Sequence, residues 1–337
     1  MSFATKQKIL LIFSFILGLG LFFWLGRMIG WKEIGRAFEV FTGWQGLIII
    51  ALSFVIAYLG ALRWKEILKD CGVETSFINL FKIYLGGYSM MYLFPILVWG
   101  GEFYRMYGLV NEKHIDWRKT TASVVIERIL EWTVNIIFIF LGLTYFFYNV
   151  FFPPKEIMVV FGIALLFFVG ILSFFYTKVY GKESIVKIVV KKFFKKEINI
   201  DNGALIVEKE IYEFFDFKNN SFKKGIILSV LRALVMQLRT WMLIFFLGSV
   251  IGFWPSLSVL SFTYVSSLIP IPTSLGSHEA LQFFAFQSIG LTASMATVFT
   301  MIIRAAEIVV SSVGMIFLIR SGFSLIGNKF LNNDKNQ

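Results

Sequence analysis

Long apolar runs separated by short polar turns dominate the chain. A helix needs about 20 apolar residues to cross about 30 Å of hydrocarbon. Runs of that kind lie at residues 9–26, 44–62, 120–148, 157–176, 225–253 and 293–319. They predict an all-α, polytopic membrane protein with about six full spans, one transmembrane domain over residues 1–337. The first run follows a short basic N-terminus and has no small-residue cleavage site before Arg27, so an uncleaved span is expected. Arg63, Lys65 and Lys69 are expected to close the second.

Two further apolar segments are interrupted. Residues 77–98 contain Gly86-Gly87 and Pro95, then meet Gly100-Gly101-Glu102. Residues 255–269 run into Pro270-Ile271-Pro272, and His278-Glu279 opens a second short apolar stretch to about Ile289. Broken backbone at membrane depth is tolerated only inside protein or beside a watery cavity. Each segment is therefore expected to form a re-entrant hairpin of two half-helices, the first over residues 77–112.

The two interruptions match. Pro95 to Glu102 and Pro272 to Glu279 both read proline, six residues, glutamate, with Ser89 and Ser266 six positions before the prolines. A span carrying Arg-x-x-Glu follows each, as Arg128–Glu131 and Arg304–Glu307, with Glu-to-Arg separations of 26 and 25 residues. A duplication is inferred, with repeats over about 77–148 and 255–320. Three full crossings lie between the hairpins, so the repeats are expected to be inverted in the membrane, a pattern found in transporters.

The composition, 57% hydrophobic and 18% aromatic with mean hydropathy +0.75, lies outside the soluble range of roughly 45–50% apolar. The single Cys71 and the two histidines, His114 and His278, do not suffice for a disulfide or a His/Cys metal cluster, and no cofactor is expected. Nothing reads as a P-loop for ATP. The net charge of +11 is concentrated in inter-helix loops, which points away from nucleic acid and toward topology and anionic lipid. Residues 178–224 hold 11 lysines against 7 acidic residues and include Lys191-Lys192-Phe193-Phe194-Lys195-Lys196. They read as an amphipathic linker on the anionic cytoplasmic leaflet, or as a solvated loop kept inside by its charge. With that linker inside, both termini and the basic loops 63–69 and 113–119 also fall on the cytoplasmic side.

Charges within spans cost about 2.5–3.5 kcal/mol each on insertion scales. Glu127, Arg128, Glu131, Arg304 and Glu307 must therefore be compensated. Arg and Glu three residues apart share a helix face, so Arg128 is expected to pair with Glu131, and Arg304 with Glu307. Such pairs can be simple interhelical ties, and Glu102 and Glu279 can simply complement the dipoles of the half-helices they open. Alternatively, the half-helix N-termini face a cavity that binds an anion such as a lipid phosphate. Arg128 and Arg304 would then be its bidentate partners, with Glu102, Glu279 and Glu131 holding those arginines. Glu307, Glu127, Arg105 and His278 would support them.

The runs Gly100-Gly101-Glu102-Phe103-Tyr104-Arg105 and Ile126-Glu127-Arg128-Ile129-Leu130-Glu131 resemble those of the flippase-like domain family. So does the run from Ile271-Pro272 through Gly276 and His278-Glu279-Ala280, followed by Arg304. That family includes the transmembrane half of lysylphosphatidylglycerol synthase, the multiple peptide resistance factor. The resemblance covers roughly residues 5–325 and departs at Ser274-Leu275, where a glycine pair is frequent, and at Trp99. It implies a lipid flippase or translocase in the cell membrane, without the soluble synthetase domain. Its substrates would be phospholipids, aminoacyl-phospholipids or polyprenyl-phosphate-linked lipids. Two alternatives stay open: a membrane-embedded lipid-modifying enzyme, or a scaffold subunit for a separate synthetase or glycosyltransferase. Homo-oligomers or a soluble enzyme partner fit either.

Overall fold

The computed structural model describes residues 43–93, 100–113, 115–150, 155–194, 203–268 and 277–333, and all regular structure among them is helical. The expected first span at 9–26, the prolines Pro95 and Pro272, and His114 lie outside the described residues. The helices are α1 (Trp44–Asp70), α2 (Phe77–Leu93), α3 (Gly100–Lys113), α4 (Trp117–Asn149), α5 (Lys155–Tyr180) and α6 (Ile185–Phe194). There follow α7 (Gly203–Phe214), α8 (Asn220–Phe246), α9 (Phe253–Leu268), α10 (Ser277–Ser288) and α11 (Ala293–Asn333).

Three of these segments, α1, α8 and Ala293–Arg320 of α11, are long and apolar enough to cross a membrane. The bent pair α5 and α6 makes up to four. α4, with 33 residues, is about 50 Å long at 1.5 Å per residue, also sufficient to cross. The chain is thus a polytopic helical membrane protein. Much of α5 faces outward through Val159, Ile163, Leu166, Phe167 and Phe174, the surface a lipid-facing helix presents.

The duplication extends upstream of the broken segments. α1 and α8 both have 27 residues, and their starts, Trp44 and Asn220, lie 176 positions apart. The same interval separates Phe77 from Phe253 and Trp117 from Ala293, the starts of α2 and α9 and of α4 and α11. Even the helix ends agree. Gly72 after α1 has φ 70° and Gly248 after α8 has φ 89°, the left-handed region where a side chain is disfavoured. There Val73 donates to the Leu68 carbonyl at 2.8 Å and Ser249 to the Ile244 carbonyl at 3.3 Å.

Packing follows the same exchange: α1 lies against α8, α4 against α9, and α11 against α2. Arg63 of α1 reaches Ser229 of α8, and Ser53 of α1 receives Arg239 of α8. Early residues of one helix meet late residues of the other, so the two run antiparallel. An axis that exchanges them is perpendicular to both, which inverts one repeat relative to the other.

The first hairpin is closed by glycines and the second by a glutamine. Gly87 of α2 lies against Gly101 and Arg105 of α3, and Gly86 lies against Tyr104. In the second hairpin Gln282 of α10 donates to the Val259 carbonyl at 3.2 Å and to Thr263 Oγ1 at 2.7 Å of α9. The hairpins then dock on the long helices of the opposite repeat through serine and glycine. Ser258 of α9 donates to the Gly142 carbonyl at 3.0 Å, and Ser89 of α2 donates to the Ser311 carbonyl at 2.6 Å. Without a hydrophobic drive between helices in lipid, close backbone approach and such hydrogen bonds hold the bundle.

A candidate charged site between the repeats

α4 carries Glu127, Arg128 and Glu131 about 15–20 Å along its length from Trp117, well inside the helix. Around them gathers a cluster of four arginines (Arg63, Arg105, Arg128, Arg232) and three glutamates (Glu102, Glu127, Glu131). Glu131 is its hub, with Arg232 at 2.6 Å and Arg63 and Arg128 each at 3.2 Å. Glu102, in the first turn of α3, pairs with Arg128, which also points at Met91 Sδ at 3.7 Å.

Part of this cluster is sealed. Glu127 is 0% exposed and holds Arg63 at 2.9 Å on one side and Arg105 on the other. The Arg105 guanidinium stacks over Trp64, 4.0 Å from the ring centre, and 4.7 Å from that of Tyr84. Trp64 is itself held by a 3.1 Å bond to Ser123 Oγ. Two buried cations on one carboxylate are tolerable because aromatic faces and the rest of the network share their charge. Arg105 and Glu127 therefore brace the site from within, and a ligand would meet Arg128, Arg232 and Glu131, which are partly exposed.

The second repeat holds the counterpart with fewer charges. Arg304 of α11 pairs at 2.5 Å with Glu279, in the first turn of α10, as Arg128 pairs with Glu102. Glu307 meets Arg239 of α8 at 3.7 Å, as Glu131 meets Arg63 of α1. At the positions matching Arg105, Glu127 and Arg232 stand Gln282, Ile303 and Ile56, so the inner braces and the extra arginine are missing. His278 is buried, and its Nε2 has no hydrogen-bond partner among the described residues. Arg304 and Arg239 lie within its electrostatic reach.

Two expectations need correction. Arg63 does not close a span at the surface; α1 continues to Asp70, and the residue is 1% exposed with three polar partners. A lone arginine after an apolar run looks like a boundary, and only the partners from α4 and α8 make burial affordable. The ion pair of Glu307 within 4 Å is to Arg239 and not to Arg304, because the half-helix presents Glu279 to Arg304. Sequence reasoning also missed the roles of Arg63, Arg239, Arg232, Ser53 and Ser229. A signal existed: Ser53 and Arg63 recur as Ser229 and Arg239 at the 176-residue interval, and each arginine precedes its glutamate by 68 residues.

Fold and site together define a helical membrane protein built on two inverted repeats with a charged core between them. The chain belongs to the lysylphosphatidylglycerol synthase TM region family, whose sequence pattern matches residues 11–314. It is similar to a UPF0104 membrane protein of Methanocaldococcus jannaschii, 25% identical over 92% of this chain and 93% of that protein. A second UPF0104 membrane protein, from Pyrococcus horikoshii, is 23% identical over 89% of this chain and 92% of the relative. No solved structure matches the chain.

Proposed function

We propose that this protein is a translocase for lipids with an anionic, phosphate-bearing headgroup. Arg128 and Arg304 would receive the phosphate in exchange for the carboxylates of Glu102 and Glu279. The observation that carries this reading is the repeated unit itself: a broken helix whose first turn supplies a glutamate to an arginine on the following long helix, twice, in opposite directions. Half-helix N-termini attract anions, and in the resting arrangement the protein's own carboxylates occupy that place. An incoming phosphate offers each arginine fork a bidentate partner with one negative charge as a diester, matching the carboxylate it displaces, and up to two as a monoester. Inversion presents one such unit to each face of the membrane, which is what alternating access requires.

The same proposal sets the chain in the cell membrane with both termini cytoplasmic. Lys65 and Lys69 at the end of α1, Lys119 at the start of α4, and Lys223 and Lys224 at the start of α8 gather at one end of the bundle. That end is tied by Lys224–Glu66 at 3.3 Å and Asn219–Asp70 at 2.9 Å. A basic end belongs on the cytoplasmic side.

The test is movement of fluorescent phospholipids of different headgroups in proteoliposomes, read by external quenching. Loss of a charge-assisted bond worth about 1.5–3 kcal/mol predicts that Arg128→Ala and Arg304→Ala each slow anionic-lipid movement roughly 10- to 150-fold. Lysine at either site should restore only part, since it cannot form the fork. Unchanged movement of every lipid in folded Arg304→Ala protein would remove the basis for this reading.

A further inference from the structure

The lysine-rich segment after α5 plays no part in the charged core, yet it is built with care. α5 ends at Tyr180, Lys182 takes φ 53°, and α6 leaves at 112° to α5. That turn carries α6 past the perpendicular, back toward the side from which α5 arrives. It is locked from α7. The Glu208 carboxylate accepts the Val186 N–H at 2.9 Å and the Ser184 hydroxyl, Ser184 Oγ accepts the Lys187 N–H at 3.0 Å, and the Tyr212 hydroxyl donates to the Glu183 carbonyl at 2.9 Å. α7 in turn packs Ile211 and Phe214 against Ile126 and Leu130 of α4.

What this scaffold holds out is amphipathic. α6 has no acidic residue in its first turn, and Lys187, Lys191 and Lys192 are exposed beside the exposed apolar Ile188 and Val189. The residues between Tyr180 and Ile185 can span at most about 15–18 Å, so α6 stays beside the end of α5. If α5 crosses the bilayer, the surface lies there, within reach of unscreened electrostatics over about 8 Å.

We propose that α6 is an interfacial helix that docks on an anionic lipid leaflet. Val189 enters the boundary between headgroups and acyl chains, while Lys187, Lys191 and Lys192, on the adjoining face with Ile188, contact acidic phospholipid headgroups. Charge complementarity selects an anionic lipid surface over a neutral one, and the capped turn, at 112° to α5, holds the helix across the end of α5 and not in line with it. The proposal is independent of the translocase reading, because it involves none of the charged-core residues.

The test uses the full chain carrying Val189→Cys, labelled with an environment-sensitive fluorophore while buried Cys71 stays silent. It is reconstituted in phosphatidylcholine vesicles with or without phosphatidylglycerol. Docking predicts blue-shifted emission, quenched by acyl-brominated lipid, in the phosphatidylglycerol vesicles and weakened by high salt. At about fivefold per lysine near an anionic surface, Lys187→Gln, Lys191→Gln and Lys192→Gln together lower the docking equilibrium on the order of a hundredfold. These are exposed positions, and an unchanged melting temperature verifies the fold. Water-like emission in both vesicles overturns the proposal. So does equal insertion in both regardless of the lysines, and so does a blue shift that brominated lipid does not quench, which would assign the face to a protein partner or a second copy.

Discussion

Replacing Glu127 by glutamine tests whether the inner half of the charged core is structural. The substitution keeps the shape of the side chain and removes its charge. Glu127 is fully buried between Arg63, 2.9 Å away, and Arg105. Without it Arg63 keeps Glu131, but among the described residues Arg105 keeps only the faces of Trp64 and Tyr84. Removing one partner of a buried ion pair costs about 3–5 kcal/mol, because the remaining charge stays out of water. At about 2–4 °C per kcal/mol, the melting temperature of the purified protein in detergent falls on the order of 10 °C. The control is Glu279→Gln in the second repeat. That carboxylate is 30% exposed, and loss of so accessible a pair costs about 0–1 kcal/mol. Adding Arg105→Gln to Glu127→Gln removes the orphaned cation, so the double variant is more stable than the sum of the singles by about 0.5–3 kcal/mol. Equal losses for Glu127→Gln and Glu279→Gln, or strict additivity in the double variant, would refute the division into a sealed brace and an accessible pair.

Three further outcomes follow from the packing. A Cβ at Gly314 would collide with the Leu85 carbonyl and Ser89 Oγ, so Gly314→Ala lowers thermal stability by about 1–3 kcal/mol, while Gly162→Ala and Gly170→Ala, with nothing within 4 Å, are neutral or stabilising by up to about 1 kcal/mol. Ser53→Ala and Ser229→Ala each leave a buried guanidinium donor without its hydroxyl, and both cost about 1–3 kcal/mol in the same melt; widely different losses would contradict the reciprocal geometry. Burial, aided by the carboxylates of Glu210 and Asp70 and opposed by Lys119, pushes the Cys71 thiol up to about 12. Since the thiolate is the reactive form, maleimide labelling of the native protein near pH 8 runs more than about a thousandfold slower than for an exposed thiol and becomes fast only on unfolding. Rapid native labelling, followed by mass, would rule out that environment.

Some of this architecture was legible in the residues themselves. A bilayer leaves the backbone only helices and closed barrels, and continuous apolar runs of about 20 residues fit the helix, so they announce α1, α8 and α11. The ends of α2 at Leu93 and α9 at Leu268, with new helices from Gly100 and Ser277, agree with the interruptions expected there, while Pro95 and Pro272 themselves lie outside the described residues. Arg128–Glu131 and Arg304–Glu307 stand out because charge in an apolar run is costly. Glu102 and Glu279 stand out because each opens a short stretch after a break.

What the sequence determined by itself was therefore a helical membrane protein, its two interruptions, their duplication and the charges worth watching. Tertiary structure alone decided how those charges are divided. Arg63 finds Ser229 from 166 positions away and Arg239 finds Ser53 from 186, contacts no local spacing can announce. The equivalence of α1 and α8 was hidden because most of their positions are interchangeable apolar residues, leaving Ser53, Arg63 and Gly72 as the few that recur. Glu127 and Glu131 are neighbours on one helix, yet one is sealed between two arginines and the other opens toward Arg128 and Arg232. The cost of an ion in a low-dielectric interior depends on everything packed around it, and those neighbours come from four different helices.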